Sequence, residues 1–307
     1  MKKMLAFLLA AAWFGGFNPA LGAGDFTVAT ANGIPLRYAV NGNSRTVTLT
    51  GHGNPCRGDL VIPDSITYKG TAYTITAIGK DAFMGCRELI SVVIPNTVVT
   101  IDGGAFFECS GMKALAIGSA VTSIGGSAFE LCDRLTSLII PNSVDTINKY
   151  AFYGCGHLTT VTLGASVALI DHSAFSGCTK LESIHICAAR PPKTQKSTFQ
   201  KIPSKVSLTV PIGARPAYST AEWAQFVIKE GECPISDEKG TEGVAIYADS
   251  CIYVQTDTRQ TRDFHVYDLT GRTVVHITDS DRTPPLPAGT YMVKVGTLPA
   301  KKVVVTR

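Results

Sequence analysis

Apolar positions recur along the middle of the chain with a fixed step of 23 residues. Ile75 to Cys86 reads ITAIGKDAFMGC, and the same phrase returns at Val98–Cys109, Val121–Cys132, Val144–Cys155 and Val167–Cys178. Its phenylalanines are Phe83, Phe106, Phe129, Phe152 and Phe175, and its cysteines are Cys86, Cys109, Cys132, Cys155 and Cys178. A fixed period in the twenties predicts a solenoid, because one unit buries its apolar face only by stacking on the next. These ten side chains are the predicted structural core.

Between the phrases the alternation has period two. Leu89-Ile90-Ser91-Val92-Val93-Ile94-Pro95 and Leu135-Thr136-Ser137-Leu138-Ile139-Ile140-Pro141 both read as a short strand closed by a turn. Gly79, Asp102, Gly125, Asn148 and Asp171 follow the second apolar residue of each phrase. Those residue types tolerate positive φ, so a left-handed turn is predicted there. The Ala-Phe pair that follows is predicted to sit on a short helical turn. One coil is therefore strand, corner, short extended piece, corner and helical turn.

The pattern I-x-x-I-G-x-x-A-F-x-x-C-x-x-L-x-x-V-x-I-P, carried by Ile78, Ala82, Phe83, Cys86, Leu89, Val92, Ile94 and Pro95, resembles the BspA-type leucine-rich repeats of bacterial and protist surface proteins. The resemblance spans residues 25–232 with degenerate ends. It implies an α/β solenoid of leucine-rich repeats, strand plus short helical turn, of about seven coils and ~35 Å long at one strand spacing per coil. It also implies a surface or secreted interaction protein, with no catalytic residues and no cofactor.

The flanks depart from the rhythm. Residues 1–23 carry Lys2-Lys3, an apolar run from Met4 to Phe14 and Leu21-Gly22-Ala23, the layout of a cleaved secretory signal peptide. No other stretch approaches transmembrane length, so the mature chain is expected to lack a membrane span. Residues 25–63 are the expected N-terminal cap, with Leu60-Val61-Ile62-Pro63 as a first repeat strand. Thr67–Tyr73, around Lys69-Gly70, reads as a small hairpin bulging from the first coil. Towards the other end Phe199 comes one residue late, and Ala217–Phe226 reads as a terminal helix.

The polar stretch 233–243 is the expected linker, and residues 244–307 read as a small all-β sandwich. Tyr267–Val274, Leu286–Val295 and the terminal Lys301-Lys302-Val303-Val304 resemble the C-terminal sorting domain of the type 9 secretion route of Bacteroidetes. That resemblance implies contact with the secretion machinery. With the leader it implies a product secreted or held on the outer-membrane surface of a Gram-negative bacterium.

Charge adds little. The net charge is +4 over 307 residues, and part of it is Lys2-Lys3. That balance excludes an electrostatic case for nucleic acid. Among nine cysteines, the five in the phrase occupy one structural position, so a reduced, buried ladder is expected. Cys56, Cys187, Cys233 and Cys251 stay open, and a Cys187–Cys233 bond would clamp the C-terminal cap. His185-x-Cys187 lies near Cys178, but no four-ligand metal spacing appears, so no metal is expected. Neither a P-loop, a dinucleotide fingerprint, a nucleophile elbow nor H-E-x-x-H occurs. Arg57-Gly58-Asp59 spells an integrin-binding tripeptide, but it also leads into the first strand.

The candidate partner-binding face is the outward side of the strands. It has two columns: Ser91, Ala114, Ser137, Thr160 and Ser183, beside Val93, Ala116, Ile139, Thr162 and His185. Small, uncharged side chains without aromatics suit a protein partner, with host extracellular matrix as the candidate, better than a sugar. Phe107, Leu131, Tyr150 and Tyr153 near the turns are the larger candidate anchors. The expected function is a non-enzymatic, adhesin-like binding protein. A carbohydrate-binding accessory of the outer membrane and a structural spacer are the alternatives.

Overall fold

The computed structural model describes residues 25–30, 33–233 and the strands 244–248, 252–256, 264–267, 273–277, 289–295 and 301–305. The expected leader and almost all of the expected linker lie outside the described residues.

The N-terminal cap is an antiparallel meander of β1 (Phe26–Ala29), β2 (Pro35–Val40) and β3 (Thr46–His52). β4 (Arg57–Val61) opens the first coil on a second wall. β5 (Ser65–Tyr68) and β6 (Thr71–Ile78) form the expected hairpin, turning through Lys69 and Gly70 at φ 48° and 78°. Two left-handed residues in a two-residue loop match the twist of a hairpin. β3 then pairs in parallel with β6 and starts the solenoid ladder. Phe26 stacks on Tyr68 at 4.1 Å and sits against Tyr38 and Tyr73, closing the core at this end.

Each later coil adds one front strand and one two-residue back strand. They are β7 (Glu88–Val93) and β8 (Thr100–Ile101), β9 (Ala114–Ala116) and β10 (Ser123–Ile124), β11 (Ser137–Ile140) and β12 (Thr146–Ile147), then β13 (Thr160–Leu163) and β14 (Leu169–Ile170). β15 (Ser183–Ile186), β16 (Ser207–Val210) and β17 (Val227–Glu230) complete the front wall. The front wall is two parallel sheets, β4-β7-β9 and β11-β13-β15-β16-β17, while the back ladder runs unbroken from β6 to β14. Between the walls, Ile, Leu, Val, Ala, Phe and Cys form continuous buried columns, and Phe106, Phe129, Phe152, Cys109, Cys132 and Cys155 are each fully buried.

The third wall corrects the expected helical turn. It is a run of hydrogen-bonded turns, and the described residues hold one helix, α1 (Arg215–Tyr218). The expected terminal helix over Ala217–Phe226 shrinks to this single turn, with Trp223 and Phe226 packed beyond it. The solenoid is thus a β-solenoid rather than an α/β one. The reason lies in the backbone bonding. The N–H groups of Asp81, Phe83 and Gly85 donate to Gly103, Ala105 and Phe107 of the next coil, while those of Ala82, Met84 and Cys86 fold back onto Gly79, Asp81 and Phe83. A helix would spend every N–H inside its own coil. Here every second one bonds to the next coil instead.

That alternation relocates the left-handed residues. Gly79, Asp102, Gly125, Asn148 and Asp171 are not among them. Positive φ falls two and six residues later, at Asp81, Gly104, Ser127, Tyr150 and Ser173, and at Gly85, Glu108, Leu131, Gly154 and Gly177. These are the positions where the N–H must turn towards the next coil. Gly125 is small for a different reason: a Cβ there would lie 2.5 Å from the Asp102 carbonyl carbon.

Two disulfides staple the ends. Cys56 bonds Cys86, and Cys187 bonds Cys233. The expected five-thiol ladder is therefore four free thiols, Cys109, Cys132, Cys155 and Cys178. Cys86 leaves the ladder because the hairpin lengthens the first coil and sets Cys56, 30 residues earlier, in the preceding coil's cysteine position. Cys187 follows β15 and Cys233 follows β17, so that bond straps the last three front strands together.

Beyond the solenoid, β18 (Val244–Ala248) pairs antiparallel with β19 (Ile252–Thr256). β20 (Phe264–Tyr267), β21 (Thr273–Ile277), β22 (Gly289–Val295) and β23 (Lys301–Val305) form an antiparallel sheet of order β21-β20-β22-β23. The turns of the expected sandwich, and Cys251, lie outside the described residues.

Candidate functional site

The longest regular surface is the outer face of the five-stranded front sheet. Parallel register puts Ser137 beside Thr160, Thr160 beside Ser183 and Ser183 beside Ser207. The second column runs Ile139, Thr162, His185, Thr209 and Lys229. Five strands span roughly 19 Å across the sheet at one strand spacing each. Hydroxyls dominate the face, and an exposed apolar side chain stands on each edge strand, Ile139 at 42% and Val227 at 47%.

Ser207, Thr209, Val227 and Lys229 extend the columns past the residues read from the sequence. The step is 24 residues from Ser183 to Ser207, as the late Phe199 already signals, and 20 from Ser207 to Val227. The unit Ser207-Leu208-Thr209-Val210 repeats the alternation of Ser183-Ile184-His185-Ile186 and marks the extension.

The first sheet does not continue this face. Ser91 and Ala116, both assigned to the partner face, are buried, and Val93 and Ala114 are half-buried. The Ser91 hydroxyl donates to Asp59 Oδ1 at 2.6 Å, so it is turned onto its neighbouring strand. Ala116 ends at its Cβ and is covered beside Val93, its register partner. The same Ser91 bond answers the Arg57-Gly58-Asp59 tripeptide. It lies inside β4, paired with β7, and its carboxylate is engaged.

His185 is the unusual member of the face. Its Nδ1 is buried without a hydrogen-bond partner, and burial lowers its pKa, so the imidazole is held neutral. Its strand neighbours on either side are Thr162 and Thr209. Cys187, two residues on, is committed to its disulfide.

The turn wall presents the aromatic candidates. Tyr150 is 40% exposed, held at φ 60°, and meets Tyr153 edge-on at 5.7 Å. Phe107 and Tyr153 are half-buried. Leu131 packs between coils against Gly154, whose absent Cβ would sit 2.7 Å from Leu131 Cδ2. Tyr150 is thus the exposed anchor of this group.

The thiol ladder faces inward. Each Sγ donates to the phenylalanine carbonyl of the preceding coil, Cys109 to Phe83 at 3.2 Å, Cys132 to Phe106 at 3.4 Å and Cys155 to Phe129 at 3.4 Å. Burial pushes the Cys109 and Cys178 thiols up to about 12, and drives Cys132 and Cys155 well above the ordinary thiol range. They stay protonated and structural.

A mixed cluster sits at the N-terminal end of the phenylalanine column. His52 lies parallel to Phe83 with centroids 5.7 Å apart, and its Nε2 is 3.1 Å from Cys86 Sγ. The ligand atoms of His52, Cys56 and Cys86 all fall within 4.8 Å of one another. At the other end, an open depression of about 440 Å³ is lined by Lys180, Glu182, Pro203 and Lys205 among others.

Residues 76–204 match the model of the BspA type leucine rich repeat region in six copies. No curated protein matches the chain. Among solved structures, the chain is similar to a leucine-rich repeat protein from Bacteroides ovatus, at 26% identity over 57% of this chain and 53% of that one, with a TM-score of 0.43. It is also similar to a leucine rich cell surface protein from Faecalibacterium prausnitzii, at 25% identity over 73% of this chain and 58% of that one, with a TM-score of 0.46. The chain thus covers little more than half the length of either. No helix among the described residues is long and apolar enough to cross a membrane.

Proposed function

We propose that this protein is an exported, non-enzymatic binding scaffold whose partner is another protein. The observation that carries this reading is the five-stranded face, where hydroxyls repeat in register beside Ile139 and the neutral His185. Such a face offers many weak, evenly spaced polar contacts and an apolar anchor at each edge, and it is rigid because every side chain stands on a strand. The BspA-type repeats of residues 76–204 support a scaffold role. Two disulfides support an oxidising compartment. The leader expected at residues 1–23 supplies the export route, and the strands from Val244 onward serve as the sorting domain. Host matrix protein is the proposed partner class, which makes the chain adhesin-like.

The test is binding of the full mature chain to a panel of extracellular matrix proteins and, separately, to a glycan array. Matrix binding that falls at least tenfold in Thr160→Arg and Ser183→Arg variants, with an unchanged melting temperature, is the expected result. Glycan binding would move the assignment to a carbohydrate accessory. Silence on both would leave a spacer.

A further inference from the structure

The cluster at His52 is built like a metal site with its thiols oxidised. Nδ1 of His52 lies 2.9 Å from the Gly53 carbonyl. A carbonyl only accepts, so Nδ1 must carry the proton, and Nε2 is left with its lone pair pointing at Cys86 Sγ, 3.1 Å away. A histidine whose far nitrogen is anchored on a backbone carbonyl is the usual arrangement of a metal-bound imidazole. Around a tetrahedral borderline-soft ion, two thiolates and an imidazole nitrogen stand roughly 3.5–3.8 Å apart, given bonds of about 2.3 Å to sulfur and 2.0 Å to nitrogen. The three ligand atoms here lie within 4.8 Å of one another, and the Cα atoms of the two cysteines are 5.7 Å apart. The two sulfurs must separate, and Nε2 must draw back from Cys86 Sγ by roughly 0.4 Å.

We propose that the first coil is a redox-gated site for a divalent ion of the zinc class, held by Cys56, Cys86 and His52 when the disulfide is reduced. A dithiol reductant gives two electrons and two protons to the Cys56–Cys86 bond and leaves as its own cyclic disulfide. The ion then displaces the two thiol protons and binds two thiolates and the neutral imidazole. Three protein ligands leave a fourth position for water. The oxidised form has no thiolates to offer, so occupancy follows the redox state. His52 and Cys56 are half-buried, Cys86 is buried, and Asn54 and Pro55 between the first two are exposed, so reductant and ion reach the cluster from the Cys56 side. The ladder thiols cannot compete, because burial keeps them protonated.

The experiment uses the full chain, reduced with a dithiol, freed of it without air, and titrated with Co²⁺ and then Zn²⁺. One equivalent of Co²⁺ should give thiolate charge-transfer absorption in the reduced chain and none in the oxidised chain, and Zn²⁺ should displace it. His52→Gln should weaken Zn²⁺ retention by about tenfold or more, and Cys56→Ser should abolish the absorption. A double Cys187→Ser, Cys233→Ser chain should bind as the parent does. Far-ultraviolet dichroism of each chain separates lost binding from lost folding. No absorption in the folded, reduced parent would overturn the proposal, and so would a signal that follows Cys187 and Cys233 instead.

Discussion

Phe129 and Phe152 lie with their rings 4° from parallel and their centroids 5.3 Å apart. The spacing is close to one strand repeat, so the ring of each coil rests on the ring of the next. The column continues through Phe83, Phe106, Phe175 and Phe199, with His52 at one end and Trp223 and Phe226 at the other. Replacing Phe129 by Ala opens a cavity with coils on both sides and should cost about 3–5 kcal/mol. Urea unfolding monitored by dichroism measures this directly, and an unchanged midpoint would contradict the core assignment.

The ladder thiols should be chemically silent in the folded protein. Protonated and buried, Cys109, Cys132, Cys155 and Cys178 should take up no iodoacetamide at neutral pH, and all four should react in denaturant. Peptide mapping by mass separates them from the disulfide cysteines. Cys132→Ala deletes the bond to the Phe106 carbonyl and should destabilise by about 1 kcal/mol. The carbonyl keeps the Cys109 N–H, which bounds the loss.

Tyr150 holds a left-handed backbone with a bulky, exposed side chain. That conformation costs an ordinary residue about 1–2 kcal/mol, and glycine escapes it. Tyr150→Gly should therefore stabilise the solenoid by roughly 1 kcal/mol, less its edge contact with Tyr153. If Tyr150 is a partner anchor, the same variant gains stability and loses binding together. A calorimetric melt beside the matrix-binding assay reads both.

His185 sets an acid-side limit. Burial lowers its folded pKa below the unfolded value of 6.5. Below about pH 6.5 the unfolded chain therefore binds a proton that the folded chain refuses, and stability falls as pH drops towards the folded pKa. His185→Gln removes the titration and should flatten the dependence of melting temperature on pH below about 6.5. A slope that is identical in the variant would place the proton uptake elsewhere.

The 23-residue rhythm by itself determined that Phe83 through Phe175 form one buried column, that the alternating segments are front strands, and that Lys69-Gly70 turns a hairpin. Those features are local periodicity plus burial, and burial repeats only when coils stack. What lies between coils was decided by the tertiary structure. Which N–H turns to the next coil fixed the positive-φ residues at Asp81 and Gly85 rather than Gly79, and replaced the expected helical turn by a ladder. Which cysteine faces which was decided by the hairpin insertion, so Cys86 found Cys56 and His52 instead of a backbone carbonyl. The candidate face likewise extends to Ser207 and Thr209, because register across strands, not sequence spacing, places side chains side by side.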